Sequence, residues 1–186
     1  MSKVCVFLAN GLEECEGLIT IDLLRRAGVE VTTASIHETK KILSSHKIKL
    51  KADELASDLD MEMFDMVVLP GGLVGTNNLK ESELVAKVCR DFASREDKMV
   101  AAICAAPSVL GELGLLKGRR ATCYPGFEQA LEGAEATGED VTECGNIITG
   151  RGMGVTIPFA LHLIARLEDA EKAEEIRQKI VYPYGF

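Results

Sequence analysis

The chain has 186 residues, 47% of them hydrophobic, which is enough for one well-filled core and short for two. A formal net charge of −8 leaves no basic stripe of the kind a nucleic-acid surface needs, and no apolar run approaches the roughly 20 residues that span a bilayer. Six cysteines, at positions 5, 15, 89, 104, 123 and 144, form no C-x-x-C pair and have no close histidine partner, so neither a metal site nor a disulfide scaffold is expected.

Met1-Ser2-Lys3 runs straight into an apolar stretch with no charged leader, which fits a reducing cytoplasm. Val4 to Ala9 is continuously apolar, as in a strand buried on both faces of a parallel sheet. Asn10-Gly11 ends it. From Glu14 the spacing becomes helical, with Leu18, Ile21, Leu23 and Leu24 apolar, and closes at Ala27-Gly28. Val29 to Ser35 is a second strand, so these segments form a βαβ unit and predict a parallel pair.

Residues 36 to 60 are more polar. Lys40 to Leu43 and Lys47 to Lys51 alternate, which predicts an exposed hairpin outside the main sheet. Met66 to Leu69 is again a buried strand, halted by Pro70-Gly71-Gly72, and Leu84, Val85, Val88 and Phe92 mark an amphipathic helix. Met99 to Ile103 is a strand that ends at Cys104, and Ser108 to Leu113 recur at helical spacing with Pro107 in the first turn. Arg120 to Tyr124 and Ile147 to Thr149 read as strands, Phe159 to Leu167 and Ala170 to Ile180 as helices. The alternation predicts a single α/β domain over 1–186, a mostly parallel sheet with helices on both faces.

Chemistry is expected at three strand ends, because open α/β sheets bind ligands beyond the carboxyl ends of their strands. Cys104 stands between a strand and a helix, the geometry of a nucleophile elbow, although the G-x-S-x-G spelling is absent. A helix N-terminus favours the thiolate, so its pKa is expected below the ordinary value of about 8.5. Gly71-Gly72 is either a tight turn or a place where backbone N–H groups approach a developing oxyanion. Neither a P-loop nor a dinucleotide fingerprint follows the first strand. Glu13, Glu14 and Glu16 open the first helix, where capping alone accounts for carboxylates. One of them at the head of an apolar face is expected to point inward, desolvated and with a raised pKa. A cysteine hydrolase needs a histidine base, but Ala105 follows Cys104, and the histidines His37, His46 and His162 lie in the polar excursion or among helical apolars.

Taken in order, Ala9-Asn10-Gly11-Leu12-Glu13-Glu14-Cys15-Glu16, Val67-Val68-Leu69-Pro70-Gly71-Gly72, Ala101 to Pro107 around Cys104, and Arg151-Gly152-Met153-Gly154 resemble the ThiJ/PfpI superfamily. More narrowly they resemble its DJ-one branch of protein deglycases, in a bacterial-type form. The resemblance implies a flavodoxin-like three-layer sandwich, a homodimer, no cofactor, and Cys104 as nucleophile with Glu16 as the carboxylic acid bonded to it. It places Gly71, Gly72 and the Ala105 N–H at the oxyanion region, with Tyr124, Arg26 and His46 as site-lining candidates. The implied activity is glyoxalase III-like conversion of methylglyoxal to lactate, or deglycation of amine and thiol adducts. The alternative is an oxidative-stress sensor whose Cys104 becomes a sulfinate. Protease activity belongs to a branch with a histidine after the cysteine. Many relatives carry histidine where this chain has Tyr124, and a phenol, with an ordinary pKa of about 10, is a poorer proton shuttle. Arg26 matches one arginine of a family pair, His46 replaces the other, and Met153 replaces a proline.

Overall fold

A computed structural model describes residues 1–185. The strands β1 (Lys3–Leu8), β2 (Glu30–Ser35), β3 (Lys41–Leu43), β4 (Lys49–Lys51), β5 (Glu54–Leu55), β6 (Met66–Leu69), β7 (Met99–Ile103), β8 (Arg120–Ala121), β9 (Glu135–Ala136), β10 (Val141–Cys144) and β11 (Ile147–Gly150) alternate with helices. The helices are α1 (Glu14–Arg26), α2 (Leu73–Glu81), α3 (Glu83–Ala93), α4 (Pro107–Glu112), α5 (Thr156–Leu167) and α6 (Ala170–Lys179). Seven strands form the main sheet in the order β10-β11-β7-β6-β1-β2-β5, parallel except for β10 against β11.

The apolar runs split by strand alternation into two cores. Val4, Val6 and Leu8 of β1, Met66 and Val68 of β6 and Ile103 of β7 face α1, α5 and α6. Cys5, Phe7, Val67, Leu69, Val100 and Ala102 face the other way, against α2, α3 and α4. With both faces covered, β1, β6 and β7 are buried almost throughout, which is why their sequences are apolar without alternation. The helices on both faces make the three-layer, flavodoxin-like sandwich. Gly28, at φ +88 just past the last turn of α1, supplies the left-handed residue that lets the chain turn into β2.

The chain leaves β1 toward β2 on one side and later returns to build β6, β7 and β11 on the other. The direction of winding therefore reverses between β1 and β6, and the loops after these two strands diverge there. The expected hairpin is β3 and β4, antiparallel and outside the main sheet. Its Ile42 is buried, and the Leu43 N–H and C=O bond to the Asn10 Oδ1 and the Gly11 N–H, which clamps it over the loop after β1.

Three elements differ from the sequence expectation. Helix α2 begins immediately after Gly71-Gly72, but its Leu73 and Val74 face solvent while Gly75, Thr76 and Leu79 are buried, so its apolar residues carry no helical stripe. Arg120 to Tyr124 is not a full strand. Only Arg120 and Ala121 pair, with β9 in a small separate sheet, because the Thr122 N–H bonds to the Thr149 hydroxyl instead. Antiparallel β10, with its turn at Gly145 (φ +65), was hidden by its polar residues Thr142 and Glu143.

Candidate active site

Cys104 follows the last residue of β7 and adopts φ +67, one of three non-glycine residues in the left-handed region among those described. This conformation costs roughly 1–2 kcal/mol in an L-residue, so it persists only where the surroundings hold it. They do so through the backbone. The Cys104 N–H donates to the Gly150 carbonyl at 2.9 Å, its carbonyl accepts from the Tyr124 N–H at 2.8 Å, and the Ala105 carbonyl accepts from the Ser108 hydroxyl at 2.7 Å. The side chain thus leaves the strand end at a sharp turn, half-buried.

Glu16 comes to the same point from α1. Of the three opening acids, Glu13 is the cap: its Oε2 accepts from the Glu16 N–H at 2.8 Å, and its own N–H donates to the Gly71 carbonyl at 2.9 Å. Glu14 turns to the hairpin, where Ser45 and His46 reach it. Burial raises the Glu14 pKa, but hydrogen bonds from its backbone N–H, Ser44, Ser45 and His46 outweigh that and hold it at about 2. Glu16 alone points inward, fully buried. Its Oε2 accepts from the Gly71 N–H at 2.8 Å, its Oε1 has no nitrogen or oxygen partner, and the Cys104 thiol is the group its carboxyl pairs with. In the sequence, capping is one account of these acids and is assigned to no one of them; the spacing Glu13-x-x-Glu16 is the signal that would have assigned it.

Burial pushes Glu16 up to about 7, against the hydrogen bonds of Cys104 and Gly71, with the Glu13 charge adding to the rise. Cys104 is pushed up to about 12 by burial first and the Glu16 carboxylate second, while the N–H groups of Gly72 and Ala105 pull it down. The expectation of a lowered thiol is therefore corrected. Helix α4 has six residues, too short a dipole to offset burial beside a carboxylate. Burial disfavours charge on both groups, and because they face each other, ionising one opposes ionising the other.

Gly71 has no room for a side chain. A Cβ there would lie 2.6 Å from Glu16 Oε2 and 2.7 Å from Cys104 Cβ. Its N–H is spent on Glu16, so of the expected oxyanion groups only Gly72 and Ala105 direct N–H groups at the sulfur. Tyr124 is bonded to the elbow and half exposed at its flank. Arg26 is not at this site. It lies at the far end of α1, about 15 Å along the axis from Glu16, and pairs with Asp22 at 2.6 Å. His46 pairs with Glu14 at 2.8 Å, one residue removed from the inward acid's cap. Glu13, Glu14 and His46 bring ligand atoms within 4.8 Å of one another, a grouping the sequence spacing did not reveal. The ion pair and the helix cap account for it without a cation.

A cysteine on a strained elbow, paired with a buried carboxyl at the reversal point of a parallel sheet, places the molecule among α/β proteins with a nucleophile-elbow site. The model of the DJ-1/PfpI family matches residues 2–166, and the chain belongs to that family. It is 38% identical to Protein dj-1beta of Drosophila melanogaster, with both chains covered completely. It is 39% identical to Protein DJ-1 homolog B of Arabidopsis thaliana over 96% of its own length, but spans only 41% of that protein. A solved structure of oxidized Toxoplasma gondii DJ-1 superposes with a TM-score of 0.94 at 35% identity, covering 99% of this chain and 100% of that one. The "Glutathione-independent glyoxalase DJ-1" of Schizosaccharomyces pombe is 26% identical over 98% of this chain and 100% of that protein.

Proposed function

We propose that the chain is a cofactor-independent enzyme acting on reactive carbonyls, with Cys104 as nucleophile and Glu16 as its proton partner. The observation that carries this reading is the fully buried Glu16 carboxyl, held by the Gly71 N–H and paired with Cys104 on its strained elbow. In the reactive tautomer the proton sits on Glu16 and the sulfur is a thiolate. The sulfur adds to the aldehyde carbon of methylglyoxal, the oxygen gains charge near the N–H groups of Gly72 and Ala105, and Glu16 returns its proton to give a hemithioacetal. The carboxylate then takes the proton of that carbon and delivers it to the neighbouring one through an enediol, leaving a lactoyl thioester. Water hydrolyses the thioester and restores the thiol. The sum is methylglyoxal plus water to lactate, with no electron donor or acceptor. The glyoxalase name of the Schizosaccharomyces pombe relative supports the same substrate class. Release of lactate from amine or thiol adducts uses the same groups.

The test is lactate formation from methylglyoxal without glutathione, native against Cys104→Ala. Turnover that disappears with the thiol is expected; turnover that survives would place the chemistry elsewhere.

A second reading, redox sensing, is supported by the unpartnered buried Oε1 of Glu16, which in the protonated acid is free to donate to an oxidised sulfur. Two equivalents of peroxide each give one oxygen to Cys104 and leave as water or hydroxide. Selective gain of two oxygens at Cys104, without methylglyoxal turnover, is the result that favours it. We further propose a homodimer, following the family, and a cytoplasmic setting, in keeping with six free thiols; no helix among the described residues is long and apolar enough to cross a membrane. Sedimentation at micromolar concentration tests the dimer.

A further inference from the structure

A cleft of about 320 Å³ opens beside the elbow, lined by Tyr124, Pro125, Asp140, Arg151, Met153 and Val155. Its walls are anchored to the nucleophile's own backbone. Tyr124 bonds to the Cys104 carbonyl, and Gly150, the neighbour of Arg151, accepts from the Cys104 N–H. The Arg151 N–H donates to the Asp140 carbonyl at 2.9 Å, which fixes the two residues across from each other.

Both residues are exposed at the rim of the cleft. Arg25, Arg26, Arg95, Arg120, Arg166 and Arg177 each pair with a carboxylate, whereas Arg90, Arg119 and Arg151 do not among the described residues, and Arg119 is taken up by the Cys144 carbonyl and Asn146. Among the described residues, Arg151 and Asp140 form no ion pair with each other or with any other side chain. The cleft therefore presents one cation and one anion without ion pairs, with Tyr124, whose N–H bonds to the Cys104 carbonyl, in its wall. The ring is held there by a glycine: a Cβ at Gly152 would stand 3.3 Å from Tyr124 Cδ2, so the bare backbone lets the ring lie close.

We propose that this cleft binds the head group of a free amino acid, its α-carboxylate on Arg151 and its α-ammonium between Asp140 and the Tyr124 ring, while the carbonyl carried on the same molecule's side chain reaches Cys104. The proposal rests on the carbonyl reading above and narrows its substrate class. Guanidinium recognises carboxylate through paired, charge-assisted hydrogen bonds, and an ammonium is attracted by both a carboxylate and an aromatic face. A zwitterion bridges two charged walls that do not bridge each other. Adducts on residues within a protein chain lack both head-group charges and gain nothing from the cleft.

The experiment compares lactate release from methylglyoxal adducts of the lysine side chain in three forms: free L-lysine, L-lysine amide, and Nα-acetyl-L-lysine methylamide. Free methylglyoxal is measured alongside. For the native chain we expect kcat/KM to be about ten-fold or more higher for the free amino acid than for the doubly capped form, the range for charged hydrogen bonds. Arg151→Gln is expected to remove most of that ratio, and Asp140→Asn part of it, with unchanged thermal unfolding. A ratio near one in the native chain, or a ratio that Arg151→Gln leaves intact, overturns the proposal. Absence of lactate from every sample, free methylglyoxal included, defeats the carbonyl reading instead. The cleft is then judged by calorimetry on Cys104→Ala protein: L-lysine binding more tightly than its doubly capped form upholds head-group recognition, and equal or absent binding ends it.

Discussion

Replacing Glu16 with glutamine should make the protein more stable above neutral pH. The carboxyl is fully buried, with an ordinary value of 4.5 that burial lifts to about 7 in the folded chain. A raised carboxyl favours the protonated form in the native state, so its contribution to stability is fully present below 4.5. It is lost progressively as the pH rises to about 7, where the folded state must carry the charge. At about 1.4 kcal/mol for each tenfold change, the interval from 4.5 to about 7 corresponds to about 3 kcal/mol. Glutamine carries no charge at any pH and keeps a carbonyl oxygen to accept from the Gly71 N–H. Urea unfolding at pH 4.5 and pH 8.5 is the assay. Near-equal stabilities are expected at the lower pH, and an advantage of about 3 kcal/mol for Glu16→Gln at the higher one. Carbonyl turnover should fall at the same time, because an amide does not accept the thiol's proton. A variant less stable than the native chain at pH 8.5, or a difference that does not grow with pH, would refute the placement of an ionised, desolvated carboxyl beside Cys104.

Gly71→Ala should cost about 1–3 kcal/mol and most of the activity, since the added Cβ would sit 2.6 Å from Glu16 Oε2 and 2.7 Å from Cys104 Cβ; thermal melting and lactate assays measure both. Glu14, held at about 2 against an ordinary 4.5, contributes stability that is present above 4.5 and lost as the pH falls toward 2, so Glu14→Gln should flatten that acid limb in a denaturation series. Tyr124→His should accelerate methylglyoxal isomerisation, by up to about 100-fold, by placing an imidazole at the flank of the elbow, a gain to be read in kcat. Iodoacetamide followed by peptide mass analysis should leave Cys5 and Cys89 unmodified in the native protein, both buried and pushed up to about 12.

The layered architecture was legible because its central strands are covered on both faces. Val4 to Leu8 and Val100 to Ile103 have no solvent side, so their apolar runs are unbroken and the helices between them show up by contrast. Where an element has little buried area, the signal disappears: α2 turns Leu73 and Val74 outward and is held by glycine contacts with the loop after β1, which leave no periodic trace. At the candidate site, a strand stopping at a small residue before a helix was enough to single out Cys104. The helical pattern called for one inward acid among Glu13, Glu14 and Glu16, and only the family resemblance named Glu16. What the chain order did not convey is how those groups act on each other. A thiol at a helix start reads as acidified, but burial of the sulfur, and after it a carboxyl that lies 88 residues earlier in the sequence, reverse the sign. Gly71 illustrates the same point from the other side. In the sequence it is half of a Gly-Gly turn, whereas in the fold its carbonyl receives the Glu13 N–H, its N–H holds Glu16, and its missing side chain is the space through which the acid meets the thiol. The approach of the acid to the thiol thus depends on a residue that takes no part in the chemistry, because any side chain at Gly71 would stand where the two groups meet.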